Sequence, residues 1–172
     1  MPFTVRRARS SSVNILVRAA TVDDAGSIAQ LIGHLGYALT PEDSAARLSK
    51  ILSRHDHQLL VAEADGAILG WMHASLSDHL DIDTCVLIEG LVVDRDHRGK
   101  GVGKLLLARA EQWAKASGCS LVRLRSTSAR TGAHRFYEHL GYTNVKTQYS
   151  FAKGVDAAGR EAVKRLAPRV EN

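Results

Sequence analysis

LVVDRDHRGKGVG, residues 91–103, joins a strongly β-forming run that ends at Val93 to a helical pattern that begins near Gly101. A turn of this kind exposes unpaired backbone N–H groups at the positive end of the helix dipole. Its glycines let a negatively charged group approach the backbone closely. The stretch therefore predicts an anion-binding turn between a strand and a helix, formed by Arg98, Gly99, Lys100, Gly101, Val102, Gly103 and Lys104.

Two common nucleotide-binding patterns do not fit this turn. A P-loop requires Ser or Thr directly after Gly-Lys, but Leu105 follows Lys104. The dinucleotide-binding pattern G-x-G-x-x-G requires glycine at the position of Lys104. If the glycines are considered alone, a glycine-rich turn without a ligand is the alternative interpretation.

A second motif, AHRFYEHLGY at residues 133–142, follows about thirty residues later. The first motif has the form Arg-x-x-Gly-x-Gly after a buried strand, and the second has the form Ala-x-x-Phe-Tyr-Glu-x-x-Gly-Tyr. Together they resemble the GNAT superfamily of acyl-CoA-dependent N-acyltransferases. The resemblance extends over residues 13–151. It implies a GNAT-like fold, acetyl-CoA as the acyl donor and no metal.

The resemblance also implies roles for particular residues. It implies that Tyr137 is the general acid that protonates the departing thiolate. The alternative interpretation is that Tyr137 is simply an aromatic residue of the core beside Phe136. Arg130 stands where many members have Asn, three residues before Ala133, and its guanidinium could hold a phosphate instead. The predicted cofactor-binding set combines the turn with the strand before it and the second motif: Leu91, Val92, Val93, Arg98, Gly99, Lys100, Gly101, Val102, Gly103, Lys104, Arg130, Ala133 and Phe136.

Glu89 is the candidate general base. On a regularly alternating strand it shares a face with Leu91 and Val93, towards the expected thioester, where it would accept the amine proton directly or through water. The alternative interpretation is a carboxylate that is simply paired with an arginine. Four other residues could shape an amine pocket or replace Glu89 as base, and exposed loop positions are their simpler interpretation: His73, His79, Asp81 and Asp83.

The remaining periodicity indicates a mixed, largely antiparallel α/β (α+β) sheet flanked by helices, because Asp65-Gly66 between two β-forming runs is a hairpin signal. The pattern predicts a mobile tail at residues 1–12, one N-acetyltransferase domain at 13–152 and a tail or short helix at 153–172. Strands are expected at residues 13–18, 58–64, 67–76, 84–93, 121–125 and 144–151. Helices are expected after Thr21 and Thr40, from Gly101 to about residue 117, and over residues 129–140.

Composition and charge limit the kinds of molecule that the chain is expected to bind. The 172 residues are 45% hydrophobic and carry a formal charge of +5, and no apolar run is long enough for a membrane-spanning helix. Residues 21–94 hold 3 basic and 12 acidic side chains, whereas residues 95–152 hold 11 and 3. This polarity suits a polyanion at one half and a cation at the other, with solvated helix faces as the alternative interpretation. Residues 21–152 together hold 14 basic and 15 acidic side chains and are near neutral, so no nucleic-acid partner is expected, and no membrane partner is expected either.

Cys85 and Cys119 are expected to be buried, unpaired thiols of a cytoplasmic protein. The acid-free Arg/Ser start also leaves an organelle leader as an alternative. The expected activity is acetyl transfer to a primary amine of a small molecule by direct attack in a ternary complex, and a homodimer is expected. Two alternatives are a protein Lys or N-terminal amine acetyltransferase and a non-catalytic acyl-CoA-binding module.

Overall fold

A computed structural model of the chain describes residues 14–166. Five strands form one sheet in chain order: β1 (Leu16–Ala19), β2 (His57–Ala64), β3 (Ala67–Ser77), β4 (Cys85–Val93) and β5 (Val122–Leu124). The first four strands are antiparallel to their neighbours, and β5 is parallel to β4. The mixed, largely antiparallel sheet predicted from the sequence is therefore confirmed. The predicted tail at residues 1–12 lies outside the described residues.

The helices are α1 (Ala25–Gly33), α2 (Pro41–Leu52), α3 (Val102–Ala116), α4 (Thr131–His139) and α5 (Ala157–Leu166). Helix α2 begins as predicted, because the Thr40 hydroxyl accepts a hydrogen bond from the Asp43 backbone N–H at 3.1 Å and Pro41 occupies the first helical position. Helix α1 begins later than predicted, after a short 3-10 helix at Val22–Asp24. No helix in the described part of the chain is long and apolar enough to cross a membrane.

The hairpin between β2 and β3 follows the Asp65-Gly66 signal. Both turn residues have positive φ, 51° for Asp65 and 76° for Gly66, and Ala64 pairs with Ala67 across the turn. Positive φ at both central positions is the geometry of a type I′ turn, which matches the twist of the strands it joins. The turn thus sets the register next to it, and an extra residue in β3, Leu69, shifts the register between Ala62 and Glu63. The turn and this bulge together determine which side chains of the rest of β3 reach each face of the sheet.

Helices cover both faces of the antiparallel part of the sheet, β1 to β4. On one face, Ile28 and Leu31 of α1 and Leu48 of α2 pack into a buried cluster with Val61, Trp71 and Val92. The opposite face carries Met72, which is fully buried, and lies under α3 through Val102, Leu106 and Leu107. Cys85 and Cys119 are buried and unpaired, as predicted.

The chain divides into two compact units, the first ending at Arg125 and the second beginning at Ser126. The second unit contains α4 and α5, and α5 falls within the predicted tail or short helix. The strand predicted at residues 144–151 is wrong, because residues 142–154 form no helix or strand. A strand requires a hydrogen-bonded neighbour, and this segment is paired with none in the described chain, so Tyr149 and Phe151 stay 91% and 92% exposed.

One ion-pair network ties α1 to the sheet. The Arg18 guanidinium on β1 donates two hydrogen bonds to the Asp24 carboxylate, at 2.8 and 2.9 Å, and a third to Glu63 on β2 at 2.7 Å. Asp24 is only 6% exposed and also accepts a hydrogen bond from the Thr21 backbone N–H. These bonds, the Arg18 bonds foremost, hold the pKa of Asp24 below its usual value although burial opposes the shift.

Asp24→Asn should lower the free energy of unfolding at pH 7 by about 1.5–3 kcal/mol, because it removes charge-assisted hydrogen bonds to Arg18. Since the folded pKa of Asp24 is depressed, this stabilisation is complete above the ordinary Asp pKa and is lost as the pH falls through the folded value. Urea unfolding at pH 7 and pH 3 measures both effects, with the exposed Asp23→Asn as the control. An equal loss at the two pH values would contradict this account.

Candidate active site

The turn after β4 is held by its first residue. The Asp94 backbone N–H donates to the Leu69 carbonyl at 2.8 Å, which fixes the end of β4 against β3. The Asp94 carboxylate then accepts from the Asp96 backbone N–H at 2.9 Å and lies 3.2 Å from Nδ1 of His97. The bond from His97 is the main reason that the pKa of Asp94 lies below its usual value. The chain therefore reverses in one 3-10 turn, Arg95–His97, and enters α3.

The predicted anion-binding turn lies at the start of α3. Gly99 and Gly101 have φ values of 74° and 86°, Gly101 caps the helix, and an added Cβ at either glycine would meet no atom within 4 Å. The first helical hydrogen bond runs from the Leu105 N–H to the Gly101 carbonyl, so the N–H groups before it have no intrahelical partner. The side chains of Arg98, Lys100 and Lys104 are exposed around this site, whereas Val102 and Gly103 are buried. The arrangement is suited to binding a phosphate.

Gly70 of β3 brings the start of α3 close to the sheet. An added Cβ at Gly70 would lie 2.6 Å from the Val92 carbonyl oxygen and 3.3 Å from Cγ1 of Val102. Only glycine therefore allows β4 and the first turn of α3 to approach β3 this closely. Sequence reasoning did not identify this contact, since an isolated glycine in a strand indicates a close approach without naming the neighbour.

Glu89 is the extra residue of a β-bulge. His73 of β3 pairs with Gly90 and Ala74 pairs with Ile88, so Glu89 has no direct partner across the ladder. Glu89 and Gly90 consequently lie on the same face, which is the face of His73 and Trp71. Leu91 pairs instead with Met72, whose side chain belongs to the α3 face. The predicted shared face of Glu89, Leu91 and Val93 is therefore wrong, because the bulge interrupts the alternation.

The bulge also marks where β4 leaves β5. The parallel ladder joins only residues 86–88 of β4 to β5, in the register Val86↔Val122, Leu87↔Arg123 and Ile88↔Leu124. Within the five-stranded sheet that the structure describes, residues 89–93 thus have a strand partner on the β3 side only. The other edge of this segment is open to an extended ligand, although the Val93 carbonyl already accepts a hydrogen bond from Nε of Arg98 at 3.3 Å.

The Glu89 carboxylate contacts two side chains. The Ser75 hydroxyl, on a residue that is 5% exposed, donates to Oε1 at 2.9 Å, and Nη2 of Arg125 lies 3.5 Å from Oε2. The alternative interpretation of Glu89 was a carboxylate paired with an arginine, and the contact with Arg125 shows that this pairing is present. Glu89 nevertheless remains the candidate base.

The four other candidate bases lie at two different places in the structure. His73 lies half-buried on β3, on the same face as Glu89. The remaining three belong to the loop between β3 and β4, where the Thr84 hydroxyl donates to Asp78 at 2.6 Å. They line an open cavity of about 660 Å³ together with Leu80 and Leu121 of the first unit: His79, Asp81 and Asp83.

The second motif forms α4 in the second unit. The Tyr137 ring lies 5.2 Å from the Phe136 ring and 6.0 Å from the Tyr142 ring, measured between centroids. Burial raises the pKa of the Tyr137 hydroxyl, and the positive charge of Arg130 opposes this shift. The hydroxyl therefore stays protonated at neutral pH and can donate a proton. Arg130 itself is exposed at the N-terminus of α4, and Ala133 is half-buried.

Sequence reasoning did not single out three residues that contact the candidate bases, namely His57, Ser75 and Arg125. Ser75 and His73 are two positions apart on β3, a spacing that indicates a shared face once the strand is assigned. The approach of Arg125 to Glu89 depends on the β4–β5 ladder, which no local pattern predicts. In the described residues, no group of three or more His, Cys, Asp or Glu side chains is arranged to hold a metal ion.

Residues 26–142 match the model of the family described as Acetyltransferase (GNAT) family. The chain is 32% identical over 145 residues to aminoalkylphosphonate N-acetyltransferase from Salmonella typhimurium, an alignment that covers 81% of this chain and 90% of the relative. It is 25% identical over 119 residues to aminoglycoside N(6')-acetyltransferase type 1 from Serratia marcescens, covering 66% and 82%.

The fold is also that of a solved structure, AAC(6')-Iy in complex with the bisubstrate analog CoA-S-monomethyl-acetylneamine. The TM-score is 0.72 at 22% sequence identity, and the superposition covers 81% of this chain and 98% of that one. At this level of identity the likeness concerns the fold.

Proposed function

The chain belongs to the Acetyltransferase (GNAT) family, and on that basis we propose that it moves an acetyl group from acetyl-CoA to the primary amine of a small molecule. The amine attacks the thioester directly while both substrates are bound, and no covalent enzyme intermediate forms. The observation that carries this proposal is the continuous path from the bulge at Glu89, along residues 89–93, to the glycine-rich start of α3. A candidate base, an open strand edge and an anion-binding turn follow one another within sixteen residues, 89–104.

The proposed cofactor site follows from these groups. The N–H groups from Arg98 to Lys104 bind the pyrophosphate of acetyl-CoA. The backbone of Leu91, Val92 and Val93 binds the pantetheine arm along the edge that β5 leaves free. From the second motif, Arg130 binds a phosphate in place of the family's usual Asn, and Ala133 and Phe136 complete the cofactor contacts.

Acetyl transfer also requires movement of two protons. An alkylammonium is protonated at neutral pH and must lose a proton before it can attack. Glu89 attracts the cation and accepts this proton directly or through water. Tyr137, whose hydroxyl keeps its proton at neutral pH because burial raises its pKa, donates that proton to the departing thiolate. The assignment of Tyr137 rests on its place in the motif.

The proposed acceptor is a small amine of the aminoalkylphosphonate or aminoglycoside class, because these are the classes that the relatives' names give. The excess of acidic side chains in residues 21–94 supports a cationic acceptor. We further propose that residues 13–152 act as one N-acetyltransferase domain, that the protein is cytoplasmic and that it forms a homodimer, without a nucleic-acid or membrane partner.

The proposal is tested by thiol release from acetyl-CoA in a panel of 2-aminoethylphosphonate, neamine, spermidine, free amino acids and a lysine-rich peptide. Release with one of the small amines, confirmed by mass spectrometry of the acetylated product, supports the proposal. Turnover of the peptide alone would make the protein a peptide acetyltransferase. Tight CoA binding with no turnover of any amine would make it a non-catalytic acyl-CoA-binding module.

Gly101→Asn should weaken acetyl-CoA binding by about tenfold or more, because a side chain would stand where the phosphate approaches the backbone. Gly118→Asn is the matched control: Gly118 also has positive φ, 74°, at the opposite end of α3, and an added Cβ there meets no atom within 4 Å either. Both variants carry similar backbone strain, so calorimetry separates binding from stability. Equal affinities of the two variants would remove the turn from the cofactor site.

Tyr137→Phe should lower kcat by about 10²–10⁴-fold and leave the affinity for acetyl-CoA unchanged, since only the proton donor is lost. Tyr149→Phe, at a 91% exposed position of the same unit, is the control. Steady-state kinetics with the best amine of the panel measure the effect. Unaltered turnover would assign the donor role to water or to another group.

Glu89→Gln preserves the shape of the side chain and removes its charge. Turnover should fall most at low pH, where loss of a proton from the amine is hardest, and recover in part as the pH rises. The pH dependence of kcat/KM between pH 6 and 9 measures this effect. A profile identical to that of the wild type would exclude Glu89 as the base.

A further inference from the structure

A pair of histidines lies beside Glu89 on the same face of the sheet. Nδ1 of His57 on β2 lies 2.7 Å from Nε2 of His73 on β3, with ring centroids 5.0 Å apart and ring planes within 24° of each other. One of these nitrogens must donate and the other accept. The two imidazoles therefore share one N–H···N hydrogen bond and have linked tautomers.

Asp56 favours one of the two tautomer arrangements. The second ring nitrogen of His57, Nε2, lies 3.9 Å from Oδ2 of Asp56. Arg54 donates two hydrogen bonds to that carboxylate, at 3.0 and 2.6 Å, and the pKa of Asp56 falls to about 2. A permanently ionised carboxylate favours a hydrogen on Nε2 of His57. Nδ1 of His57 is then the acceptor, and Nε2 of His73 is the donor.

This arrangement leaves Nδ1 of His73 unprotonated. His73 pairs across the ladder with Gly90, next to Glu89, and the negative charge of Glu89 acts on its imidazole. The ionisable groups acting on His73 are His57 on β2, Glu89 on β4 and Arg54 in the loop after α2. Burial, foremost, and the neighbouring His57 lower the pKa of His73, so the ring is neutral at physiological pH and able to accept a proton.

We propose that Asp56, His57 and His73 form a proton relay for the amine substrate of the proposed function, on which this inference rests. The substrate ammonium transfers a proton to Glu89, and Nδ1 of His73 takes it from Glu89 through water, becoming an imidazolium. The free amine then attacks the thioester. The bond from Nε2–H of His73 to Nδ1 of His57 holds both rings in their tautomers, and His73 releases the proton from its Nδ1 to solvent, so the relay returns to its starting state with no proton gained or lost. His57 is a positioning residue, because it acts through His73.

The relay explains why a histidine is placed beside a carboxylate that Ser75 and Arg125 already contact. A carboxylate is a much weaker base than an alkylamine, so a proton taken by Glu89 has to be passed on. His73, a neutral imidazole on the same face of the sheet, takes the proton from Glu89. The carboxylate is then ionised and able to accept a proton from the next substrate. Asp56, which is partly exposed, lies at the far end of this chain of contacts and orients His57.

The first test needs no substrate. Two-bond ¹H–¹⁵N NMR spectra of the full chain at pH 8 identify the tautomer of each neutral histidine ring. The relay requires a hydrogen on Nε2 of both His57 and His73. A hydrogen on Nδ1 of either ring would overturn the proposal, whatever the activity of the protein.

The second test is the pH profile of kcat/KM with 2-aminoethylphosphonate or, if that amine is not turned over, neamine. His57→Leu should lower kcat/KM at pH 6.5 by about tenfold or more, with recovery towards pH 9 where the amine loses its proton unaided. His57→Asn retains an acceptor oxygen near the Nδ1 position and should restore most of the activity. His55→Asn, at an exposed position two residues earlier, is the control.

The outcomes separate the relay from the proposed function. A wild-type pH profile in folded His57→Leu, together with a reduced rate in Glu89→Gln, would overturn the relay and leave the proposed function intact. If the wild type acetylates no amine of the panel, the proposed function fails and the tautomer measurement alone decides the relay. A uniform loss at every pH, without rescue by His57→Asn, would indicate a merely structural role and overturn the relay.

Discussion

The single extra residue of β4 at Glu89 is the constraint on which the proposed site depends. A regular strand would place Glu89 on the α3 face with Leu91 and Val93, among buried apolar side chains. The bulge instead turns Glu89 and Gly90 together towards His73, Ser75 and Trp71. It also increases the local twist of β4, just where the ladder to β5 ends. One backbone irregularity thus positions a carboxylate on one face and leaves a hydrogen-bonding edge free beside it.

Glycines allow the surrounding elements to fit around this irregularity. Gly70 lets the Val92 carbonyl and the first turn of α3 approach β3, and Gly90 leaves room for the Trp71 ring, whose nearest carbon would lie 2.7 Å from an added Cβ. Gly101, with positive φ, turns the chain into α3 with its N–H groups free. The strand, the turn and the helix are therefore held in a fixed order from Glu89 to Lys104.

Local patterns predicted most of the fold because each depends on neighbouring residues. The Asp65-Gly66 turn, the Thr40 cap before Pro41 and the glycines before Val102 all act within a few positions, and the elements they bound are observed. The bulge could not be predicted, because it is a property of the pairing between β3 and β4 rather than of either strand alone. The same reason applies to the His57–His73 and Glu89–Arg125 contacts, which join residues on different strands. The prediction of a strand at residues 144–151 was wrong for the converse reason. Apolar and polar residues alternate there as in a strand, but in the described chain no neighbouring strand pairs with this segment.

Amide hydrogen exchange of β4 with and without acetyl-CoA tests the central claim most directly, because that claim is that the free edge of residues 89–93 binds the cofactor. The account predicts that amides of residues 89–93 that point away from β3, and those of residues 99–104, exchange about tenfold or more slowly with acetyl-CoA bound. Amides of Val61 and Ala62 in β2 should not change. Acetyl-CoA binding that calorimetry detects, but that leaves exchange in residues 89–93 unaltered, would contradict the account.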